Sequence, residues 1–350
     1  MRSRSATSND VARRAGVSRA AVSVVLNGSR SNVRVSEETR QRILAAATEL
    51  GYSPDLAAQS LRRGQSRIVG YVRRSFSSIV YEQPIPYQIG TSLTRTAQKR
   101  GYHIIEVSAE THAFQDRKDL LQLLLSHRVD GVIFDWPSSE SEVQQFVDEG
   151  LPVVQLIRPQ FSIKTPCVTI DPSQGINEAL DYLVHQGHRR IAFIGGGVSH
   201  PVDSSRLDNF VQASTRHKLA IPEEYLLPGT QYSLAEGYRL TNTLLALATP
   251  PTALFVASDI LVLGVLRALY QARIRVPEEM SVISYDDTFA AYLSPPLTSV
   301  SQPFEEVAER AIALMIEGIM SNGTVQEAIH VVLPTHLTMR ESTASPRRKM

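Results

Sequence analysis

Four short polar motifs follow directly on apolar runs, and their side chains are of the kinds that bind small polar molecules. The motifs are Arg73-Arg74, Asp135-Trp136, Ser258-Asp259 and Asp286-Asp287. A carboxylate accepts hydrogen bonds from hydroxyl groups, a guanidinium group donates to oxygen atoms, and a tryptophan ring stacks on an apolar ring face. The motifs therefore predict binding of a polar small molecule, provided that the fold brings them together.

Asp286, Asp287 and His188 could also act as the acid and base groups of an enzyme. Adjacent carboxylates with no nucleophile, phosphate loop or metal-ligand spacing nearby are weak evidence for catalysis. The glycines at 195–197 lack the G-x-G-x-x-G spacing of a dinucleotide site. The chain has one cysteine, Cys167, which excludes an intramolecular disulfide and a cysteine-rich zinc site. We therefore expect no catalytic residue, no metal site and no cofactor.

The elements that must position these motifs alternate between strands and helices from Ile68 onward. Apolar strand candidates are IVGYV, HIIEV, GVIF, PVVQLI, RIAFIG, ALFVA and MSVISY. Amphipathic helices are predicted at 87–100, 116–127, 173–186, 233–248 and 258–272. This alternation predicts parallel sheets covered on both faces by helices. The strands are too many for one small sheet, so we expect two Rossmann-like lobes with a ligand cleft beyond the carboxyl ends of the strands.

The first 66 residues differ in charge from the rest of the chain. They hold 11 Lys and Arg against 5 Asp and Glu, whereas the whole chain holds 36 against 35. A basic segment ahead of an acidic body indicates a polyanionic partner for that segment. A solvated basic arm would have the same composition, so charge alone leaves both interpretations open.

The segment DVARRAGVSRAAVSVVLNG has the spacing of a helix–turn–helix. Thr7 can cap a helix that begins at Ser8, Gly16 supplies the turn, and Ser18 can cap a second helix that ends near Asn27. The amino-terminal residues of such a second helix can contact base edges in a major groove. Helical hairpins are common, so the flanking residues must decide the interpretation.

Those flanks closely resemble the lactose-repressor/galactose-repressor (LacI/GalR) family of bacterial transcription regulators. The resemblance lies in DVARRAGVS, VSVVLNG, VSEETRQRILAAATELGYSP and LAAQSL. It continues in DGVIF, LPVV, LVHQGHRRIAFIGG, PTALFVASD, VPEEMSVISYDD, LSPPLTSVSQP and LTMREST, and so covers nearly the whole chain. It implies an all-α helix–turn–helix headpiece and a two-lobed α/β core like that of periplasmic binding proteins. The implied function is sequence-specific DNA binding, usually in repression, under the control of a small molecule.

The resemblance also implies a set of DNA-binding residues. They are Thr7, Ser18, Arg19, Ala20, Ala21, Ser23, Asn27, Ala58 and Leu61. Arg19 can bind guanine O6 and N7, or it can contact a phosphate. LAAQSL matches the hinge helix of the family, which is too short to be stable alone. Leu61 matches the residue of that helix that enters the minor groove as a wedge, although it could instead pack in the core. Val24 departs from the base-reading arginine of many members and can only touch a thymine methyl or pack.

The effector residues implied in the same way are Arg74, Asp135, Trp136, Arg206, Ser258, Asp286 and Phe304. Asp286 can accept hydrogen bonds from two sugar hydroxyls and Arg206 can donate to them; alternatively, Asp286 and Arg206 can form a structural ion pair. Trp136 or Phe304 can stack on a sugar ring. Pro86, Ile157, Ser258 and the Arg73-Arg74 pair depart from the usual residues of the family. The pocket is therefore rebuilt, and analogy does not name its ligand.

The charge of the ligand depends on the arginines. Strand alternation lets only one of Arg73 and Arg74 face the cleft, and Arg74 aligns with a cleft-lining position of the family. Arg74 and Arg206 together would suit a sugar phosphate or a sugar acid. Asp135 and Asp286 could instead neutralise both cations and leave a site for a neutral sugar. We expect a sugar-like effector, and the two arginines favour an anionic one.

The expected domains are a helix–turn–helix domain at 1–52, a hinge helix and linker at 53–66, an effector-binding and dimerisation core at 67–341 and a disordered tail at 342–350. Within the core, the expected N-lobe is about 67–167 and 297–328, and the expected C-lobe is about 168–296 and 329–341. One recognition helix covers few base pairs, so we expect a homodimer on double-stranded operator DNA.

A solute-binding protein for transport would have a similar two-lobed body. The start MRSRSATSND is polar and shows no secretory signal, and apolar runs such as ILVLGVL are too short to span a bilayer. We therefore expect a cytoplasmic protein with no membrane partner. Only the ten residues ESTASPRRKM close the chain, without heptads, which favours a dimer over a tetramer.

Overall fold

The computed structural model describes residues 6–27, 33–52, 65–75, 84–110, 117–126, 128–135, 139–157, 165–197, 201–321 and 329–347. The chain forms two compact units, Met1–Arg67 and Ile68–Met350. The first unit is called the headpiece and the second the core. No described helix is long and apolar enough to cross a membrane.

The described headpiece consists of the helices α1 (Ser8–Ala15), α2 (Arg19–Asn27) and α3 (Glu37–Glu49). Thr7 and Asp10 form a reciprocal capping box at the start of α1, which satisfies two backbone N–H groups that have no partner within the helix. Gly16 ends α1 with a φ of 66°, a left-handed conformation that glycine adopts without strain. The Oγ of Ser18 accepts from the N–H of Ala21 at 3.2 Å, as the spacing predicts.

The three helices enclose a small apolar core, since the buried positions of each helix recur at three- and four-residue spacing. Its buried members are Val11, Ala12, Ala15, Ala21, Val22, Ile43, Ala46 and Ala47. Alanines and valines leave little space between helices, so the helices pack closely and hold the first turn of α2 at the surface.

The first sheet of the core belongs to the N-lobe and has six parallel strands. Their spatial order is β11 (His330–Pro334), β5 (Cys167–Asp171), β4 (Val153–Ile157), β3 (Gly131–Phe134), β1 (Ile68–Ser75) and β2 (His103–Glu110). Apolar side chains place α4 (Pro84–Lys99) and α11 (Phe304–Met320) on one face. The helices α5 (Arg117–Ser126) and α6 (Glu140–Asp148) cover the other.

The second sheet belongs to the C-lobe and also has six strands. Their order is β12 (His336–Thr338), β10 (Thr298–Ser301), β9 (Ser281–Asp286), β8 (Ala253–Val256), β6 (Ile191–Ile194) and β7 (Leu226–Leu227). Only β12 is antiparallel to its neighbour among these pairings. The helices α7 (Ser173–His185) and α8 (Pro201–Arg216) pack on one face, and α9 (Leu234–Leu245) and α10 (Asp259–Gln271) on the other.

The expected lobe boundaries need correction. Strands β5 and β11 pair in the N-lobe sheet, whereas β10 and β12 pair in the C-lobe sheet. The described chain therefore passes between the lobes after β5, after β10 and after β11. The N-lobe comprises 68–171 and 304–334, and the C-lobe comprises 172–301 and 336–347. The sequence-based boundaries were wrong because strand pairing depends on neighbours that lie more than 100 residues away.

The expected disordered tail is also wrong for residues 342–347. Ser342 is fully buried, and its hydroxyl donates to the carbonyl of Val282 at 2.6 Å and accepts from the N–H of Thr298 at 2.8 Å. Further along, the carbonyl of Ala344 lies 2.9 Å from Nε2 of His188. The polar composition of this segment reflects polar groups of the C-lobe sheet that it satisfies, not exposure to solvent.

We expect Ser342→Ala to lower the free energy of unfolding by about 1–3 kcal/mol, because it leaves the buried carbonyl of Val282 and the N–H of Thr298 without this partner. Denaturant midpoints at constant pH measure the change. Ser345→Ala is the matched control, since Ser345 is exposed and forms one hydrogen bond to Gln186; we expect a change below about 0.5 kcal/mol. Equal effects of the two changes would contradict the burial of the tail.

Candidate functional site

The first candidate site is the exposed start of α2 in the headpiece. Ser18, Arg19 and Ala20 are exposed there, while Ser23 and Val24 are partly buried on the following turn. A helix start carries unpaired backbone N–H groups and partial positive charge, both of which favour a bound anion. With the guanidinium group of Arg19, this surface can bind phosphate groups and base edges.

The other predicted DNA-binding residues have varied placements. Ala21 is only 6% exposed and packs in the headpiece core, so we assign it to packing and not to a DNA contact. The hydroxyl of Thr7 donates to Asp10 at 2.6 Å within the capping box. The side chain of Asn27, and all of Ala58 and Leu61, lie outside the described residues.

The second candidate site is a buried polar cluster in the C-lobe, centred on the carboxylate of Asp286. Its Oδ1 accepts from Nη2 of Arg206 at 3.1 Å and from Nε2 of Gln302 at 2.7 Å, and its Oδ2 accepts from Oγ of Ser258 at 2.7 Å. Arg206 also donates to the carbonyl of Ala257 at 2.5 Å. The predicted residues Arg206, Ser258 and Asp286 therefore lie together.

The parallel sheet explains why residues so distant in sequence meet. Asp286 ends β9, Ser258 follows β8 and caps α10, and Gln302 follows β10, so all three lie at the carboxyl edge of the C-lobe sheet. This edge is where open α/β sheets bind ligands. Arg206 reaches it from α8 and stacks over the ring of Tyr285, with 4.0 Å between the guanidinium carbon and the ring centroid.

Burial dominates the electrostatics of this cluster. It raises the pKa of Asp286 to about 6, although the charge of Arg206 and the bonds from Ser258 and Gln302 act in the opposite direction. Burial also raises the pKa of Asp259, whose carboxylate accepts from Ser284 and from the N–H groups of Thr288 and Phe289. Asp259 therefore anchors the loop after β9. Asp286 is the carboxyl group of this cluster that we consider for ligand binding.

The third candidate site is at the carboxyl edge of the N-lobe sheet, around Asp135. Asp135 is 3% exposed, and its Oδ1 has no hydrogen-bond partner among the described residues. Burial raises the pKa of Asp135 to about 7; a hydrogen bond from Tyr71 and the charge of Arg73 lower it, and the charge of Glu106 raises it further. A buried acceptor without a partner is costly, which makes this oxygen a candidate for a ligand contact.

Arg73 lies beside Asp135 but is already paired. Its Nε donates to Oε1 of Glu106 at 2.6 Å, and its guanidinium carbon lies 4.7 Å from the ring centroid of Tyr87. Burial alone would lower the pKa of Arg73, but the bond to Glu106 raises it above its usual value. The guanidinium group is therefore charged, and its charge is balanced within the N-lobe.

The remaining predicted effector residues are Phe304, Trp136 and Arg74. Phe304 is 9% exposed, and its ring packs in the N-lobe core at the first residue of α11. Trp136 lies outside the described residues, as does the side chain of Arg74. Their effector contacts stay predictions.

Among the residues missed at the sequence level are an amide and a carboxylate of these clusters, Gln302 and Glu106. Gln302 lies in the quoted motif LSPPLTSVSQP, two residues before Phe304, and its position next to a strand end was the available signal. Glu106 is a lone charge inside the apolar strand candidate HIIEV. Among the described residues, no group of three or more His, Cys, Asp or Glu is placed to hold a metal ion.

Known protein families match both units of the chain. The family described as "Bacterial regulatory proteins, lacI family" matches residues 7–55, and "Periplasmic binding protein-like domain" matches residues 180–343. The chain is 31% identical to "Catabolite control protein A" of Priestia megaterium over 338 residues, which is 95% of this chain and 98% of that protein. The chain belongs to the lacI family.

Solved structures extend this result to the whole fold of the lacI-family chain. The lac repressor dimer bound to operator and the anti-inducer ONPF is 27% identical, with a TM-score of 0.76 over 97% of this chain and 100% of that one. The complex of the transcriptional regulator CelR with cellobiose is 30% identical, with a TM-score of 0.69 over 96% and 99%. The expected headpiece and two-lobed core are confirmed. These lacI-family relatives are transcription regulators and not enzymes.

The raised pKa of Asp135 predicts a pH-dependent difference between this lacI-family protein and its Asp135→Asn variant. Between pH of about 4 and about 7 the folded protein retains a proton on Asp135 that the unfolded chain has lost, so its free energy of unfolding falls as pH rises. Asparagine cannot ionise. We expect Asp135→Asn to gain about 2–4 kcal/mol relative to the wild type across this window and to keep that gain at higher pH.

Denaturant unfolding of both proteins at fixed pH values from 4 to 8.5 measures this difference. A difference that stays constant with pH would show that Asp135 is ionised throughout and would contradict the cost assigned to its burial.

Proposed function

We propose that the protein is a DNA-binding transcriptional repressor that acts as a homodimer on a pseudo-palindromic operator and responds to a sugar-like effector in the cleft of its core. The observation that carries the proposal is the buried Arg206–Asp286 cluster at the carboxyl edge of a sheet, in a chain that also has a helix–turn–helix headpiece. A bacterial regulator of this kind works in the cytoplasm.

The DNA contact is proposed for the exposed start of α2. Arg19 is at the first position of that helix, where its side chain can reach guanine O6 and N7. Ser18, Ala20, Ser23, Asn27 and Thr7 complete the proposed contact with the major groove and the phosphates. Ala58 and Leu61 are proposed for the minor groove at the centre of the operator, where a flexible pyrimidine–purine step is the easiest to kink.

The C-lobe surface supports a homodimer. Tyr270 and Tyr292 are 84% and 88% exposed. Tyr270 lines a surface depression of about 850 Å³ with Leu266, Ile274 and Pro295. Exposed tyrosines near a depression lined by both apolar and charged residues favour an association surface, and a two-fold dimer would present two recognition helices to the two half-sites of an operator.

The effector is proposed to bind between the two strand edges that carry Asp286 and Asp135. Asp286, Arg206 and Ser258 offer hydrogen-bonding groups from the C-lobe, and Asp135 offers an unpaired oxygen from the N-lobe. Arg74, Trp136 and Phe304 complete the proposed contacts. The relative CelR is described as a cellobiose complex, which supports a sugar as the class of ligand.

Regulation follows from the position of Gln302. It donates to Asp286 of the C-lobe and lies in the segment that leads from β10 to α11 of the N-lobe. An effector hydroxyl that replaces this donor changes the segment that joins the lobes. The ligand then alters DNA affinity by its difference in affinity for the two arrangements of the lobes.

The DNA-binding part of the proposal is tested with Arg19→Ala. The wild type should be retained on duplex DNA with an affinity that falls steeply with salt, because lysine and arginine contacts release counterions. In a selection from randomised duplexes, we expect Arg19→Ala to relax the base preference at one symmetric pair of positions, at a cost of about 1–3 kcal/mol per site.

Arg310→Ala removes one exposed arginine from the core and should leave DNA binding unchanged. A uniform loss of affinity for all sequences with Arg19→Ala would assign Arg19 to a phosphate. Failure of the wild type to bind duplex DNA would overturn the proposed function.

The effector part is tested with Asp286→Ala and a panel of cellobiose, D-ribose and D-glucose. The substitution removes the acceptor for Arg206, Ser258 and Gln302, so we expect loss of the response of operator binding to a sugar that affects the wild type. Operator affinity without sugar should change less than the sugar response does, because Asp286 lies in the core and the proposed DNA contacts lie in the headpiece. Asp148→Ala, at an exposed carboxylate of α6, should keep the response. Equal loss of DNA binding in Asp286→Ala would make Asp286 a structural residue.

A further inference from the structure

The helix α2 packs in the headpiece with one side and directs its other side outward. The side chains that it contributes to the headpiece core are those of Ala21, Val22, Val25 and Leu26, and the described members of that core do not include Val24. Successive residues of an α-helix are rotated by about 100°, so Val24 is directed more than about 100° away from the middle of the packed side. Packing in the headpiece core therefore does not account for this valine.

The outward side of α2 carries small and uncharged side chains beyond Arg19. Ala20 is exposed, and Val24 lies one turn further along, about 40° around the helix axis from Ala20. Ser23 and Val24 are both partly buried. Apart from Arg19, the helix sequence RAAVSVVLN contains no charged residue. Val24 therefore shares the side of α2 for which the DNA contact is proposed, and its chemistry bears on which base it meets there.

A valine side chain has neither a hydrogen-bond donor nor an acceptor, so it cannot pair with the polar edge of any base. A guanine oxygen or a cytosine amino group against it would lose water without gaining a partner, at a cost in affinity. Thymine differs from the other three bases because it presents an apolar group, its C5 methyl, in the major groove. Thymine is therefore the base that the side chain of Val24 favours.

The local structure of α2 suits such a contact. Ala20 has a single carbon beyond the backbone, so it leaves space for a base edge to approach the helix next to Val24. A β-branched valine in a helix has one strongly preferred χ1 rotamer, so its two methyl groups hold nearly fixed positions. The contact then costs little side-chain conformational entropy.

We propose that Val24 is a specificity-determining residue that selects thymine by contact with its C5 methyl group. The proposal rests on the proposed DNA contact of α2 and adds the base that one position of each half-site must hold. It decides between the two alternatives that the sequence leaves open for Val24, a thymine methyl and packing. Arg19 reads a base by hydrogen bonds and Val24 reads another by apolar contact, so a two-fold operator carries a symmetric pair of thymines that face the two copies of Val24.

The test removes single methyl groups from the DNA. The probe is the duplex that the wild type recovers by selection from a randomised pool, and each thymine is replaced in turn by deoxyuridine together with its symmetric counterpart. Deoxyuridine lacks the C5 methyl and is otherwise identical. Binding of the full-length protein is measured at one fixed salt concentration, since affinity for DNA depends on salt. We expect one symmetric pair of replacements to weaken binding by about fourfold per half-site, the effect of one methyl group that is no longer buried.

The variant Val24→Ala shows whether that loss belongs to Val24. It withdraws the two methyl groups of the valine and keeps a residue that favours the helix. At the same pair of thymines, deoxyuridine should weaken binding of the variant by less than about 1.5-fold, because the side chain and the base methyl act as one contact. Leu44→Ala is the matched control, since it shortens an aliphatic side chain that is 40% exposed on α3. It should keep the fourfold loss.

The outcomes separate this inference from the proposed function. Equal losses in the wild type and in Val24→Ala at every thymine overturn the role of Val24. A recovered duplex without a symmetric pair of thymines, or one that tolerates deoxyuridine at every thymine, also overturns it, while DNA binding by α2 stands. Failure of the wild type to recover any duplex overturns the proposed function and this inference together.

Discussion

The arrangement of the C-lobe edge depends on the need to satisfy one buried carboxylate, that of Asp286. Removing a carboxylate from water costs several kcal/mol unless charged and polar donors surround it. Arg206, Ser258 and Gln302 supply those donors from α8, the start of α10 and the segment after β10. Because each comes from a different element, satisfying a single charge fixes the relative positions of all of them.

The same constraint connects the carboxyl edge of the C-lobe sheet with the segments in which the chain passes between the lobes. The described chain crosses after β5, β10 and β11, each time at or near the carboxyl end of a strand. Gln302 lies in the second of these passages and is also a donor to Asp286. A ligand that competes for Asp286 therefore acts on a segment shared by both lobes. This physical link is short, because it involves one hydrogen bond and no chain of intermediates.

The two edges differ in what they leave unsatisfied. In the C-lobe the carboxylate has donors on both oxygens, while in the N-lobe one oxygen of Asp135 has none among the described residues. Arg73 lies close to it, yet Glu106 holds the guanidinium group at 2.6 Å. Among the described side chains, the N-lobe edge therefore offers a buried carboxyl group beside a guanidinium group that is already paired.

Local rules explain what the sequence determined by itself. Caps at Thr7 and Ser18, the turn at Gly16 and the alternation of strands and helices depend on residues within a few positions of one another, and the family resemblance placed Arg206 and Asp286 in one site. Only the tertiary structure decided the exchange of strands between the lobes, the burial of Ala21, the packing of residues 342–347 and the pairing of Arg73 with Glu106. Each of these depends on which distant segment becomes a neighbour, because pairing and burial are set by non-local contacts that no local pattern encodes.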